Sequence, residues 1–237
     1  DFMVGRSSFS GSGRGSVINL GSLTATDGGY VALLGNQVRN EGTITARVGS
    51  AILAAGERVS LNFSGDSLVG VTIDKGSLDS LVENKQAIHA DGGIVVLSAK
   101  GLDTALSGVV NNSGEIRAQT VVNKEGRILL LGDMVSGSVH VGGSLDASAP
   151  NGGNGGFIDT SGARVQIADD VRVTTVAPKG KTGEWLIDPY NITISSSGSS
   201  NVMISVASNP WDAQPTASGA NTIQSGPLAS ISATVCW

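Results

Sequence analysis

The sequence predicts an all-β solenoid, a parallel β-helix with about 21 residues per coil and one excursion from the coil. Three observations lead to this prediction. Glycine makes up 34 of the 237 residues, roughly twice its usual share of ~7%. The hydrophobic residues are mainly aliphatic, because aromatic residues contribute only 4% of the chain. A short phrase of alternating apolar and polar residues also recurs at a nearly regular spacing.

The composition favours many short strands joined by tight turns. Valine, isoleucine and threonine suit strands, whereas glycine, serine and asparagine suit turns and weaken helices. The net charge of −5 and the lack of a lysine or arginine cluster argue against nucleic acid as a partner. No apolar run approaches the ~20 residues that span a bilayer. The single cysteine, Cys236, excludes an intrachain disulfide.

The recurring phrase has the form Gly-x-(Ile/Leu)-x-Ala. Its apolar centres are Leu23, Ile44, Ile116 and Leu145, and Ile88 is the centre of a variant without the glycine. In chain order the centres are Leu23, Ile44, Ile88, Ile116 and Leu145, and the successive steps between them are 21, 44, 28 and 29 residues. We interpret the step of 44 as nearly two coils, and the steps of 28 and 29 as coils with loop insertions. Because side chains alternate along a strand, these five residues are the predicted structural core.

Two regions depart from the repeat. Between about residues 60 and 86, two strand-like segments lead into Ser77–Lys85. The apolar spacing of Ser77–Lys85 predicts either a short helix with Ser77 as its N-cap or a loop excursion from the coil. After Ile194 the chain becomes rich in serine, alanine and proline. We therefore predict a β-helix over residues 1–194 with an excursion at about 60–86. Residues 195–237 are expected to form a linker or a poorly ordered extension. Trp185 is expected to cap the last coil.

Two other folds are compatible with parts of the pattern. A β-sandwich has short strands and glycine-rich turns, but it predicts no phrase repeating at a longer period. A leucine-rich repeat requires a different leucine spacing. The start of the chain, Asp1 to Val4, shows no basic-then-apolar signal sequence, so we expect a processed or excised chain.

Several phrases occur in an order that resembles a known family. They include GGYVALLGNQVRN at 28–40, GRILLLGDM at 126–134 and GKTGEWLIDPYNITI at 180–194. This order resembles the filamentous-haemagglutinin-like exoproteins of two-partner secretion, a family of adhesins, haem-scavenging proteins and toxin carriers. The resemblance implies a right-handed parallel β-helix that is secreted or held at the bacterial cell surface. It also implies an outer-membrane β-barrel transporter as a transient partner.

The family's amino-terminal secretion domain carries an Asn-Pro-Asn-Gly motif that this sequence lacks. Asn209-Pro210-Trp211 does not match it. We therefore expect this chain to correspond to the β-helix downstream of most of that domain.

Candidate sites are few. Asn62, Asn111 and Asn191 begin Asn-x-Ser/Thr sequons, and the family resemblance makes them possible glycan acceptors. Asn36, Asn40 and Asn112 are expected to satisfy turn backbone groups. The remaining candidates are isolated: His89, His140, the carboxylates Asp66, Asp133, Asp169 and Asp170, and the glycine-rich segment 152–159.

We therefore predict no metal or cofactor site. Segment 152–159 has Phe157 where a calcium-binding nonapeptide needs aspartate and occurs once rather than in tandem. Neither histidine has a second metal ligand at a suitable spacing.

The leading functional hypothesis is a structural stalk of a secreted, adhesin-like exoprotein, not an enzyme. The second is a module that binds a host protein, a haem carrier or a glycan through the excursion at 60–86. The third is a carbohydrate-active β-helix enzyme. The small number of aromatic residues argues against the third, because such enzymes stack sugars on aromatic side chains.

Overall fold

The computed structural model describes residues 7–189, together with the backbone of two short strands at 204–205 and 231–234. The described residues form strands and turns without a helix. Six coils of three strands each are stacked along one axis, and each strand pairs in parallel with its equivalent in the next coil. This arrangement confirms the predicted parallel β-helix.

The three strands of a coil belong to three sheets, here called sheets I, II and III. Sheet I contains β2 (Ser16–Asn19), β5 (Gln37–Asn40), β10 (Leu81–Asn84), β13 (Val109–Asn112), β16 (Ser138–Val141) and β19 (Arg164–Ile167). Sheet II contains β3 (Ser22–Thr24), β6 (Thr43–Thr45), β11 (Ala87–His89), β14 (Glu115–Arg117), β17 (Ser144–Asp146) and β20 (Arg172–Thr174). Sheet III contains β4 (Tyr30–Gly35), β7 (Ser50–Ala55), β12 (Ile94–Ala99), β15 (Arg127–Gly132), β18 (Phe157–Gly162) and β21 (Glu184–Pro189).

Two further groups of strands complete the described fold. A small antiparallel sheet has the order β1 (Ser8–Ser10), β8 (Arg58–Ser64) and β9 (Ser67–Lys75). The strands β22 (Ile204–Ser205) and β23 (Ile231–Thr234) extend sheet III beyond β21. Most of the predicted tail, 195–237, lies outside the described residues.

The interior consists of ladders of equivalent side chains. On sheet II, Leu23, Ile44, Ile88, Ile116 and Leu145 lie in register, followed by Val173. Four of the five predicted core residues are fully buried, and Leu23 is partly buried. On sheet I the equivalent ladder consists of six valines: Val17, Val38, Val82, Val110, Val139 and Val165. Each fully buried aliphatic side chain contributes roughly 1.5–3 kcal/mol, so the ladders are the main source of stability.

The step from Ile44 to Ile88 does not represent two coils, so that interpretation is wrong. Ile44 pairs directly with Ile88, because β6 and β11 are neighbours in sheet II. The additional residues of this coil are those of the hairpin β8–β9, which leaves the stack after β7 and returns before β10. The shorter step from Leu23 to Ile44 is that of a coil without a long insertion.

The predicted helix at Ser77–Lys85 is also wrong. Most of its second half is strand β10, which pairs with both β5 and β13. Val82 and Asn84 point into the stack, whereas Leu81 and Glu83 lie on the outside. Ser77 forms a parallel bridge with Gly101 rather than capping a helix. Pairing on both sides and burial of Val82 outweigh the local helical spacing.

Candidate interaction surface

The connections between successive coils differ greatly in length. Each runs from sheet III to sheet I. The first and the last are single residues, Asn36 and Ala163. The three between them are residues 56–80, 100–108 and 133–137. These three connections follow one another along a single corner of the stack, and we call them together the corner ridge.

The bases of the corner ridge are stacked like the strands beside them. The backbone N–H of Ser77 donates to Lys100 O at 3.1 Å. In the next coil, the N–H of Ser138 donates to Gly108 O at 3.0 Å. One coil further, the N–H of Ala163 donates to Asp133 O at 3.1 Å. The ridge is therefore anchored to the solenoid at each of its three connections.

The hairpin β8–β9 packs on the outer face of sheet III. The centre of this contact is formed by Ile52 and Val96 on the sheet and by Val59, Leu61 and Leu68 on the hairpin, all at most 4% exposed. Tyr30 and Phe63 make an edge-to-face ring contact beside it, with centroids 5.7 Å apart. The hairpin is thus fixed on the coil by a second, smaller hydrophobic core.

The opposite face of the hairpin is polar and solvent-exposed. Ser60 Oγ donates to Asp74 Oδ2 at 2.6 Å, and Asn62 Nδ2 donates to Thr72 Oγ1 at 2.9 Å. The Lys75 ammonium forms an ion pair with a carboxylate at the base of the hairpin. Cross-strand hydrogen bonds therefore hold hydroxyl, amide and carboxylate groups side by side on this face.

The three predicted glycan acceptors have different surroundings. Asn62 is exposed on the hairpin. Asn111 lies on the outside of sheet I, partly buried, where its Nδ2 donates to Glu83 Oε1 at 3.0 Å. Asn191 lies outside the described residues. Of the two that are described, only Asn62 is exposed.

The corner asparagines form a continuous ladder inside sheet I. Asn19, Asn40, Asn84 and Asn112 lie in register, and each of the first three donates from Nδ2 to Oδ1 of the next at 2.7–2.8 Å. Asn112 instead donates to Gly142 O at 2.7 Å. The ladder satisfies buried amide groups and also binds turn carbonyls, so its role is structural. Asn36 is buried at a corner outside this ladder.

Trp185 lies inside the last described coil. It follows Ile158 in register on sheet III and is fully buried. Its indole Nε1 donates to Thr160 Oγ1 at 3.1 Å, and the threonine hydroxyl donates to Leu186 O at 3.1 Å. The ring fills the interior of this coil, and Ala233 of β23 pairs with it at the backbone. Its predicted role as a cap stays a prediction.

The two histidines lie on different sheets and in different coils. His89 is on the outside of sheet II, where its Nε2 lies 3.0 Å from Glu115 Oε1. His140 is exposed on sheet I between Asn111 and Gln166. Among the described residues, no group of three or more histidine, cysteine or carboxylate side chains is placed to hold a metal ion. Nor does the described part contain a helix long and apolar enough to cross a membrane.

The carboxylates singled out from the sequence also have separate positions. Asp66 is at the hairpin turn, Asp133 begins one connection of the corner ridge, and Asp169 and Asp170 lie between β19 and β20. Asp133 has a structural role, because its Oδ1 accepts a hydrogen bond from the backbone N–H of Val135 at 2.9 Å. The fold does not bring these carboxylates together as a catalytic pair would require.

A bidentate ion pair holds the corner between sheets II and III. The Arg117 guanidinium donates from Nε and Nη2 to the Asp91 carboxylate at 2.9–3.2 Å. The backbone N–H of Gln119 donates to the same carboxylate at 3.1 Å. The hydrogen bonds to Asp91 raise the pKa of Arg117 above its ordinary value. The pair joins adjacent coils through several hydrogen bonds, which indicates a structural role.

The surroundings of the Asp159 carboxylate disfavour its charge. It lies on the outer face of sheet III, where burial raises its pKa most, and the nearby Asp188 raises it further. The Ser161 hydroxyl, which donates to its carboxylate, and the Arg127 charge oppose this effect. The carboxylate form is therefore less favourable in the folded chain than in the unfolded chain.

The variant Asp159→Asn is expected to be more stable than the wild type at pH 7. A raised pKa in the folded state means that the neutral side chain favours folding at low pH and that this advantage is lost as the pH rises. The amide keeps an acceptor for Ser161 and avoids the charge. Urea denaturation midpoints at pH 7 and pH 3 check this prediction. The difference in midpoint between Asp159→Asn and the wild type should be smaller at pH 3 than at pH 7. An equal difference at both pH values would contradict the assigned cause.

The connections at 100–108 and 133–137 lie in the two coils for which loop insertions are predicted, although the sequence analysis assigns those insertions no residue ranges. Their signal is the long steps from Ile88 to Ile116 and from Ile116 to Leu145, which exceed the step from Leu23 to Ile44 because each coil carries added loops. What the spacing does not reveal is the corner at which the added residues emerge. This depends on strand boundaries that only the pairing defines.

Comparison with known proteins gives a partial match. No family model matches the chain. A Heme/hemopexin-binding protein of Haemophilus influenzae strain Rd is 38% identical over 123 residues, which are 52% of this chain and 13% of that protein. A second Haemophilus influenzae protein of the same name is 37% identical over 70 residues, or 30% of this chain and 7% of its own length. The chain is thus similar to a short part of proteins named for binding haem and hemopexin.

Proposed function

We propose that this chain is a β-helical segment of a secreted bacterial exoprotein that binds a host haem carrier. The observation that carries the proposal is the similarity to two proteins named Heme/hemopexin-binding protein, over 123 residues in one case. The names describe binding, which agrees with the second hypothesis drawn from the sequence. They do not point to a glycan.

Export by two-partner secretion belongs to the same proposal. Its support is the resemblance of the ordered phrases to filamentous-haemagglutinin-like exoproteins and the parallel β-helix that the structure adopts. The partner for export is then an outer-membrane β-barrel transporter. The adhesin role and the position at the cell surface rest on that resemblance.

The solenoid itself suits a scaffold that holds a binding surface in one orientation. Its interior ladders run through all six coils, and each coil contacts its neighbours through three strands. The corner ridge departs most from this regularity, and the hairpin within it is locked onto sheet III. We therefore propose that partner contact occurs at the corner ridge, with the polar face of the hairpin as part of the contact.

The experiment measures binding of haem-loaded and haem-free hemopexin to the full chain by biolayer interferometry. Wild type is expected to bind. The double variant Asn62→Ala/Thr72→Ala removes two exposed polar groups from the hairpin, and we expect binding to weaken about 5-fold, as for polar groups at the edge of an interface. The control Arg172→Ala changes an exposed side chain on sheet II and should bind as the wild type does.

Circular dichroism of each variant checks that the β-sheet signal is preserved. A wild-type chain that binds neither form of hemopexin contradicts the proposed function. If the hairpin double variant binds hemopexin as tightly as the wild type, the hairpin is not part of the contact. That result would not contradict the proposed binding of a haem carrier.

A further inference from the structure

Exposed apolar side chains are concentrated on the corner ridge. Within residues 7–189, the large hydrophobic side chains that are exposed number eight, and five of them are on the ridge. These five are Val69 (40% exposed), Leu102 (44%), Leu106 (37%), Met134 (41%) and Val135 (74%). Scattered apolar residues on a surface need no explanation, but a cluster on neighbouring connections is typical of an interaction site.

The two shorter connections hold their apolar side chains on ordered turns. Asp103 Oδ1 accepts the backbone N–H groups of Ala105 and Leu106 at 2.8 and 2.9 Å. Asp133 Oδ1 accepts the N–H of Val135 at 2.9 Å and that of the next residue at 3.2 Å. The same device thus recurs in two adjacent coils. Because the turns are already formed, a partner would lose little free energy in ordering them.

The ridge is also acidic. It contains six acidic residues, which are Glu57, Asp66, Asp74, Asp79, Asp103 and Asp133, and three basic residues, which are Arg58, Lys75 and Lys100. Its formal net charge is therefore −3. Glu57 and Lys75 neutralise one another at 2.7 Å. A complementary partner would present an apolar patch surrounded by basic groups.

We propose that Leu102, Leu106, Met134 and Val135 form the centre of a docking surface for an apolar, basic-rimmed patch on a host protein. This inference rests on the proposed function, since the host protein is then the haem carrier itself. The segment that follows the hairpin adjoins this centre, because Ser77 forms a parallel bridge with Gly101, the residue before Leu102. The apolar centre excludes water, and the carboxylates around it steer and orient the partner.

The test uses the variants Met134→Ser/Val135→Ser and Leu102→Ser/Leu106→Ser in the full chain, with hemopexin as the probe. Each pair is expected to weaken binding on the order of 30-fold, because removing residues at the centre of an interface costs far more than removing residues at its edge. Leu20→Ser is the matched control, since Leu20 is exposed to the same degree as Val135, at 74%, but lies between β2 and β3. Binding should also weaken as the salt concentration rises.

The possible outcomes distinguish a failure of the docking surface from a failure of the proposed haem-carrier binding. If both serine double variants bind hemopexin as tightly as the wild type, the proposed docking surface is wrong, but the proposed binding of a haem carrier is not contradicted. A wild-type chain that does not bind hemopexin overturns both. Sedimentation velocity tests whether a second copy of this chain binds the ridge instead. If the wild type is a dimer and the serine double variants are monomers, a second copy covers the ridge and the proposal is wrong.

Discussion

Ile44→Asp is expected to destabilise the solenoid by more than about 4 kcal/mol, since it places a charge with no partner in a fully buried position. Ile44 is 0% exposed and is stacked between Leu23 and Ile88. Domains are stable by about 5–15 kcal/mol in total, so this single change should unfold the first coils or the whole chain. Urea denaturation followed by circular dichroism measures the loss.

Thr45→Asp is the matched control, because it introduces the same side chain at the next residue of the same strand. Thr45 is on the outside of sheet II, and changes at such positions usually alter stability by about 0.5 kcal/mol or less. Equal effects of the two substitutions would contradict the inside/outside assignment of β6, and with it the register of the whole ladder.

Asn84→Ala is expected to cost about 3–5 kcal/mol, because it interrupts the asparagine ladder in the middle. Asn84 accepts a hydrogen bond from Asn40 and donates one to Asn112, both at 2.8 Å. The substitution leaves an amide donor on one neighbour and an amide acceptor on the other without these partners. Each buried polar group left unsatisfied costs about 1–3 kcal/mol. Thermal and urea denaturation measure this effect.

Asn19→Ala provides the comparison within the same ladder. Asn19 is its first described member and donates to Asn40 at 2.7 Å, so its loss leaves one acceptor in the ladder unpaired instead of two groups. We expect roughly half of the effect seen for Asn84→Ala. If the two variants lost the same stability, the cost would come from the volume removed and not from the chain of hydrogen bonds.

The asparagine ladder has a signal in the sequence that a local helical pattern obscures. The phrase Val-x-Asn occurs at 17–19, 38–40, 82–84 and 110–112, which are the inward positions of four successive strands of sheet I. Asn40 and Asn112 are predicted as corner residues, whereas Asn84 falls in the predicted helix. The repeat around Val82 favours a strand there, because each solenoid coil must offer the same inward residues as its neighbours.

The packing of the hairpin is harder to predict. Residues 51–55 are apolar without alternation, which is typical of a strand buried on both faces. The pattern therefore indicates that something covers sheet III, although it does not say what. The hairpin covers it because the segment after β7 leaves the stack at the adjacent corner. The corner ridge follows from the same three-dimensional arrangement. The long steps of the repeat indicate that residues are added to these coils, but they do not indicate that the added residues share one corner.

Hydrogen–deuterium exchange of the full chain, with and without haem-loaded hemopexin, tests the central claim most directly. The claim is that a rigid β-helix presents one corner for binding. Amides of sheets I and II should exchange slowly in both states, because they are paired on both sides in the inner coils. Binding should slow exchange at residues 56–80, 100–108 and 133–137. Slowed exchange confined to sheet II, or no change at the corner ridge despite binding, would contradict the account.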